Sequence, residues 1–194
     1  MHKKMHLLRL CAALFALPLA LQSGGIDSAY ALTPVSVSVN VSTEVLASGS
    51  FVAEIRTTTV TDLNAAQFDI QFDPAVLELD AVSNGELNGT SISCQSNELE
   101  PGRWRVVASL GLGTVTGSGT LAELQFSVAG DPGQGSPIEF SGGILSGMYE
   151  AIDATWTDAS VTVAAPPTPP SVVSTYPAAG ASSVPLNCGL SATF

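Results

Sequence analysis

The chain has 194 residues, with 17 acidic side chains against 6 basic ones and a net charge of −11. His2, Lys3, Lys4, His6 and Arg9 all lie in the first ten residues; a chain cleaved after Ala31 keeps only Arg56, Arg103 and Arg105 against 16 carboxylates, a net charge of −13 with no lysine or histidine. That composition excludes Ser-His-Asp and Cys-His catalysis, histidine-ligated zinc, and P-loop or Schiff-base lysines, and so acidic a surface repels nucleic acid and anionic lipid.

The first predicted element is a secretory signal peptide over residues 1–31. Lys3, Lys4 and Arg9 give the positive start, residues 10–21 the apolar core, and Ala29-Tyr30-Ala31 the small residues of a cleavage site. The apolar core of 12 residues is well short of the ~20 needed to span a bilayer. Cys11 opens that core instead of following it, so it is not placed for lipidation. With no second apolar run, the chain is expected outside the cell or on its surface, without membrane insertion.

Residues 33–164 read as one all-β domain. Val35, Val37, Val39 and Val41 alternate with polar residues, as do Phe51, Ala53 and Ile55, then Ala66, Phe68, Ile70 and Phe72. Trp104, Val106, Ala108 and Leu110 repeat the pattern, followed by Ala122, Leu124, Phe126 and Val128. Period two, β-branched and aromatic enrichment and frequent turn residues predict half-buried antiparallel strands. About nine such strands hide their apolar faces best in a two-sheet antiparallel sandwich. Asp73-Pro74 is expected to end a strand, the proline lacking a donor and the aspartate bonding the turn backbone, with Leu77 dropping into the core. Gly117 and Gly119 are expected to supply positive φ at a strand entry.

Ala164-Ala165-Pro166-Pro167-Thr168-Pro169-Pro170 contains a Pro-rich linker, residues 165–170. Residues 171–194 are too short to bury a core. Val172-Val173-Ser174-Thr175-Tyr176-Pro177, Val184-Pro185-Leu186-Asn187 and Leu190-Ser191-Ala192-Thr193-Phe194 resemble the start of a bacterial Ig-like domain, and the segment is expected to be its truncated opening. Cys188 lies beyond the linker, so no bridge to Cys94 is expected although export would permit one. Cys94 is expected to be free and partly buried.

Two stretches carry family information: Ala66-Gln67-Phe68-Asp69-Ile70-Gln71-Phe72-Asp73-Pro74-Ala75-Val76-Leu77-Glu78 and Gly117-Ser118-Gly119-Thr120-Leu121-Ala122-Glu123-Leu124-Gln125-Phe126-Ser127-Val128. With the closing Ser160-Val161-Thr162-Val163, they resemble a cohesin domain, the dockerin receptor of scaffoldins, in order and spacing over residues 35–163. The resemblance implies a jelly-roll sandwich and a non-catalytic module that docks a dockerin-containing protein, calcium being carried by the dockerin. It further implies an extracellular assembly for polysaccharide degradation. Docking in that family uses one flat sheet face, and the matching outward positions are Ala65, Gln67, Asp69 and Gln71. Many cohesins carry Asn and Asp where Ala65 and Gln67 stand and bond a Ser/Thr pair on the dockerin. Ala65 cannot do so, and Gln67 does so only as a neutral group.

The apolar sides of both strands place Gln67, Asp69 and Gln71 beside the outward residues Arg105, Val107 and Ser109. A flat, mixed polar patch suits a helical partner better than a small ligand. Arg105 is read either as a contact for a partner carboxylate or as a cross-strand mate of Asp69.

No spacing sets two carboxylates across a cleft, so no enzyme is expected. No calcium-loop motif occurs. Asp153 and Asp158 beside Trp156, or Asp73 and Asp80, are the candidates for an irregular site, and no cofactor is expected in the chain itself. Trp104 and Phe51, Phe68, Phe72 and Phe126 fall on apolar strand faces. Tyr149 and Trp156 remain as exposed stackers for polysaccharide, which makes direct carbohydrate binding, or surface adhesion, the alternative function.

Overall fold

The computed structural model describes residues 34–193, and the signal peptide predicted over residues 1–31 lies outside them. Eleven strands form the domain: β1 (Val35–Asn40), β2 (Glu44–Leu46), β3 (Ser50–Phe72), β4 (Leu77–Leu87), β5 (Thr90–Glu100), β6 (Arg103–Ser109), β7 (Val115–Val128), β8 (Gly135–Gly147), β9 (Ala151–Ile152), β10 (Ala154–Thr157) and β11 (Ala159–Ala164). Nine of them have four residues or more. Among the described residues none is helical.

The long strand β3 belongs to both layers of the sandwich. Its first part, residues 50–57, pairs with β7 on one side and β1 on the other. Register shifts follow at Ile55/Arg56, Thr57/Val60 and Val60/Leu63, and Asp62 takes a left-handed φ of 53°. Such bulges bend a strand and increase its twist. Beyond them, residues 65–71 pair with β6, while the flank toward β8 is paired as far as Phe72. One layer thus runs β10-β1-β3-β7-β4 and the other β2-β11-β8-β3-β6-β5, with β4 and β5 joined as a hairpin at one edge. The β4–β5 turn is Asn88-Gly89, at φ 47° and 78°, the conformation a two-residue hairpin favours.

Two rim pairings, β1 with β10 and β2 with β11, are parallel. The alternation of single strands predicted only antiparallel partners. Strand direction at a rim depends on how distant parts of the chain meet, which residue alternation does not encode.

The inward positions of the alternating segments fill one core. Val37, Ile55, Phe68, Ile70, Leu77, Leu124, Phe126, Ile138 and Leu145 are all buried. Phe126 stacks on Phe51 at 5.3 Å and meets Phe72 edge-on at 5.1 Å. Full burial of each such ring contributes about 1.5–3 kcal/mol. The Asp73-Pro74 turn forms as expected: Asp73 Oδ1 accepts the Ala75 N–H at 2.9 Å, and the Asp73 carbonyl accepts those of Val76 and Leu77 at 3.0 and 2.9 Å.

One of the two family glycines meets the expectation of positive φ and the other does not. Gly117 does take a positive φ of 150°, but Gly119 does not. A Cβ at Gly119 would run into the Glu86 carbonyl of β4, so close strand approach, not left-handed backbone, requires that glycine.

Cys94 and Cys188 are free. The Cys94 thiol donates to the Leu121 carbonyl at 3.2 Å, and burial pushes its pKa up. After the spacer of residues 165–170, β12 (Ser174–Tyr176) and β13 (Ser191–Thr193) pair antiparallel as a small sheet of their own.

Candidate protein-binding face

The second layer presents a flat face on β5, β6, β3 and β8, whose register arranges the outward side chains in rows across the strands. Ser93, Ser109, Ala65 and Ser146 make one row. The next is Gln95, Val107, Gln67 and Ile144. Asn97, Arg105 and Asp69 follow, with Ser141 and Gly142 bulged opposite Asp69. Glu100, Arg103, Gln71 and Glu139 complete the face toward the Asp73-Pro74 turn.

All seven residues singled out from sequence therefore lie on one face: Ala65, Gln67, Asp69, Gln71, Arg105, Val107 and Ser109. The register pairs Asp69 with Arg105, Gln67 with Val107 and Ala65 with Ser109, so Gln71 stands opposite Arg103 instead.

Asp69 differs in kind from its neighbours. It points outward, yet its side chain is only 6% exposed because two guanidiniums cover it. Arg105 grips it bidentately, Nε to Oδ1 at 2.7 Å and Nη2 to Oδ2 at 2.9 Å, while Arg103 Nη2 reaches Oδ2 at 3.0 Å. The hydrogen bonds from Arg105, helped by Arg103, outweigh burial and hold the Asp69 carboxyl below the usual carboxylate range. Asp69 in turn raises the pKa of Arg105. Arg103 also reaches Glu100 at 3.4 Å. The group exposed here is the guanidinium surface, with the aspartate as its support.

Sequence reasoning paired β3 with β6 but missed its other neighbour, β8, and the outer strand β5. Ile144, 58% exposed beside Gln67, is the largest consequence. Ile144-Leu145 places two apolar residues in succession after Gly142-Gly143, so alternation could not say which of them points outward. Leu145 is buried.

Trp156 is not an exposed stacker. It is half-buried, lies against Gly143, and packs on Phe140 at 4.9 Å and Phe68 at 6.1 Å. Of the two candidate sugar platforms only Tyr149 is exposed, and a single ring makes no row. Three of the four candidate calcium carboxylates have protein partners: Asp158 Oδ1 accepts the Phe140 N–H, Asp80 Oδ1 the Ser127 hydroxyl, and Asp73 caps its own turn. Among the described residues no group of three or more metal-ligating side chains is arranged to hold an ion.

The two-layer β-sandwich, with a four-stranded face of mixed polar and apolar side chains, defines an all-β module of jelly-roll type. The cohesin-domain family model matches residues 35–163, and the chain belongs to that family. The sixth cohesin of Acetivibrio cellulolyticus scaffoldin B, solved with a dockerin, is similar in fold: TM-score 0.58, 19% identity, 68% of this chain and 99% of that one covered. A non-cellulosomal cohesin from Archaeoglobus fulgidus gives a TM-score of 0.57 at 13% identity, covering 67% of this chain and 91% of that one. The cohesin module of a Clostridium perfringens family 33 glycoside hydrolase gives 0.55 at 18% identity, with 69% and 98% covered. No curated protein is significantly similar to the chain in sequence.

Proposed function

We propose that this cohesin domain is a secreted, non-catalytic receptor that docks a dockerin-bearing partner on the β5–β6–β3–β8 face. Its contacts are Ala65, Gln67, Gln71, Arg105, Val107 and Ser109, with Asp69 holding the arginines from beneath and Ile144 added from β8. Calcium belongs to the dockerin, and the setting is an extracellular or cell-surface assembly for polysaccharide degradation. Residues 171–194, beyond the Pro-rich spacer, fit the opening of an Ig-like module in such a surface protein.

The row Gln95, Val107, Gln67 and Ile144 carries this reading. It sets exposed aliphatic side chains among neutral polar ones in the middle of a sheet, the make-up of a contact patch. Support for the partner class comes from family membership and from similar cohesins crystallised with dockerins. With Ala65 and Gln67 on the face, the partner is gripped by packing and by neutral hydrogen bonds around Arg105. Equilibrium binding of a calcium-loaded dockerin panel to wild type, Gln67→Ala, Arg105→Ala and Ile144→Arg tests the proposal. Each change should weaken binding by about 1 kcal/mol or more; tight binding indifferent to all of them would place the interface elsewhere.

A further inference from the structure

The chain has two Asn-Gly dipeptides, Asn84-Gly85 within β4 and Asn88-Gly89 in the turn that follows it. An asparagine before glycine is open to attack on its side-chain amide by the next backbone nitrogen, because a residue without Cβ leaves that nitrogen unshielded. The fold treats the two dipeptides in opposite ways.

Asn84-Gly85 is locked. Gly85 is buried, pairs with Ile92 in the β4–β5 ladder, and would drive a Cβ into the Thr120 and Leu121 backbone of β7. Asn84 Oδ1 accepts the Cys94 N–H at 2.9 Å, which ties its side chain to β5.

Asn88-Gly89 is open. Both residues are exposed, and the space around the Gly89 Cβ position is empty. The ladder closes behind them at Leu87 and Thr90, and a two-residue turn keeps the Gly89 N–H out of it. Leu87 and Ile92, both buried, anchor the hairpin below its tip, so the tip can open without unfolding the domain.

Asn88 also holds a corner of the sandwich. Its Nδ2 donates to the Thr116 carbonyl at 3.2 Å, and Thr116 Oγ1 accepts the Asp62 N–H at 3.0 Å. A Cβ at Gly117 would come within 2.7 Å of the Asn88 Cβ, so the turn lies directly on the start of β7. One side-chain amide thus links the β4–β5 turn, through Thr116, to the bend of β3 at Asp62.

We infer that Asn88-Gly89 is a modification site, at which the folded chain converts itself to aspartate and isoaspartate with water as co-reactant, and that the conversion releases the hairpin from β7. The Gly89 nitrogen bonds to Asn88 Cγ while the Cγ–Nδ2 bond breaks, and the amide nitrogen leaves as ammonia with the Gly89 proton. Water then opens the cyclic imide at either carbonyl; its hydroxyl stays on that carbon and its other proton returns to the Gly89 nitrogen. Opening at Cγ gives aspartate. Opening at the Asn88 backbone carbonyl carries the chain through Cγ and lengthens a tight turn by one backbone atom. Neither product keeps a donor for the Thr116 carbonyl, and aspartate sets a second acceptor against it.

The test incubates the folded full chain at mildly alkaline pH, with the same chain in urea alongside, and maps both by peptide mass spectrometry with isoaspartate detection. In urea the two dipeptides should convert at similar rates. In the folded chain Asn88 should convert about tenfold faster than Asn84 or more, and converted material should melt lower than fresh protein. Asn88→Asp, which lacks the Nδ2 donor from the start, should melt lower without incubation. Equal rates at the two sites of the folded chain, or an Asn88 that stays intact there, would overturn the modification site. Conversion with an unchanged melting temperature would overturn the release of the hairpin.

Discussion

Arg105 closes over Asp69 with two parallel hydrogen bonds of 2.7 and 2.9 Å, turning an outward aspartate into the buried base of a cationic surface. Bidentate arginine–carboxylate pairing fixes direction as well as charge. The pair therefore sets where the guanidinium plane lies on a face that carries two of the three arginines among the described residues.

Stability should respond to acid through this carboxylate. The folded pKa of Asp69 is depressed, so its contribution is complete above the unfolded value of about 3.9 and is lost as pH falls through the lower folded value. Urea denaturation from pH 7 down to pH 2.5 should show wild type losing stability relative to Asp69→Asn only below about pH 4. A constant gap between the two proteins at every pH would mean that Asp69 is not held by charge.

Phe126 lies at the centre of the core, stacked on Phe51 and edge-on to Phe72. Phe126→Ala should cost roughly 3–5 kcal/mol in chemical denaturation. A loss below 1 kcal/mol would show that the two layers do not share this core.

The Asn88-Gly89 turn joins the two layers through β4 and β5. Gly89 has φ 78° and open space around its Cβ position, so Gly89→Ala should cost about 1 kcal/mol from backbone conformation alone. An unchanged denaturation midpoint would show that the turn relaxes to another type.

Much of this was legible in the sequence because the signals are local. Alternation in β1, β3, β6 and β7 gave the buried side of each strand, and Asp73-Pro74 marked the turn that follows β3. Asn88-Gly89 is an equally clear local hairpin signal, since both residues tolerate the positive φ that the turn requires. Two kinds of information were not local. The double role of β3 depends on three register shifts within one continuous run of strand residues, and nothing in Thr57-Thr58-Thr59-Val60-Thr61 announces them. The neighbour of β3 on its other side, and hence Ile144, depends on sheet order, which single-strand periodicity does not contain. The covering of Asp69 was half-visible: the cross-strand pair with Arg105 followed from parity, but the second guanidinium came from Arg103, one register step along.

The two layers make the central claim separable in one experiment. Ile144 projects from the β5–β6–β3–β8 face, whereas Gln125 projects from β7 in the opposite layer, between Ala81 and Val52. Titration of a calcium-loaded dockerin against Ile144→Arg and Gln125→Arg, both checked for unchanged melting, measures which layer docks the partner. Loss of at least tenfold in affinity for Ile144→Arg with wild-type affinity for Gln125→Arg is the expected result, and the reverse pattern would contradict it.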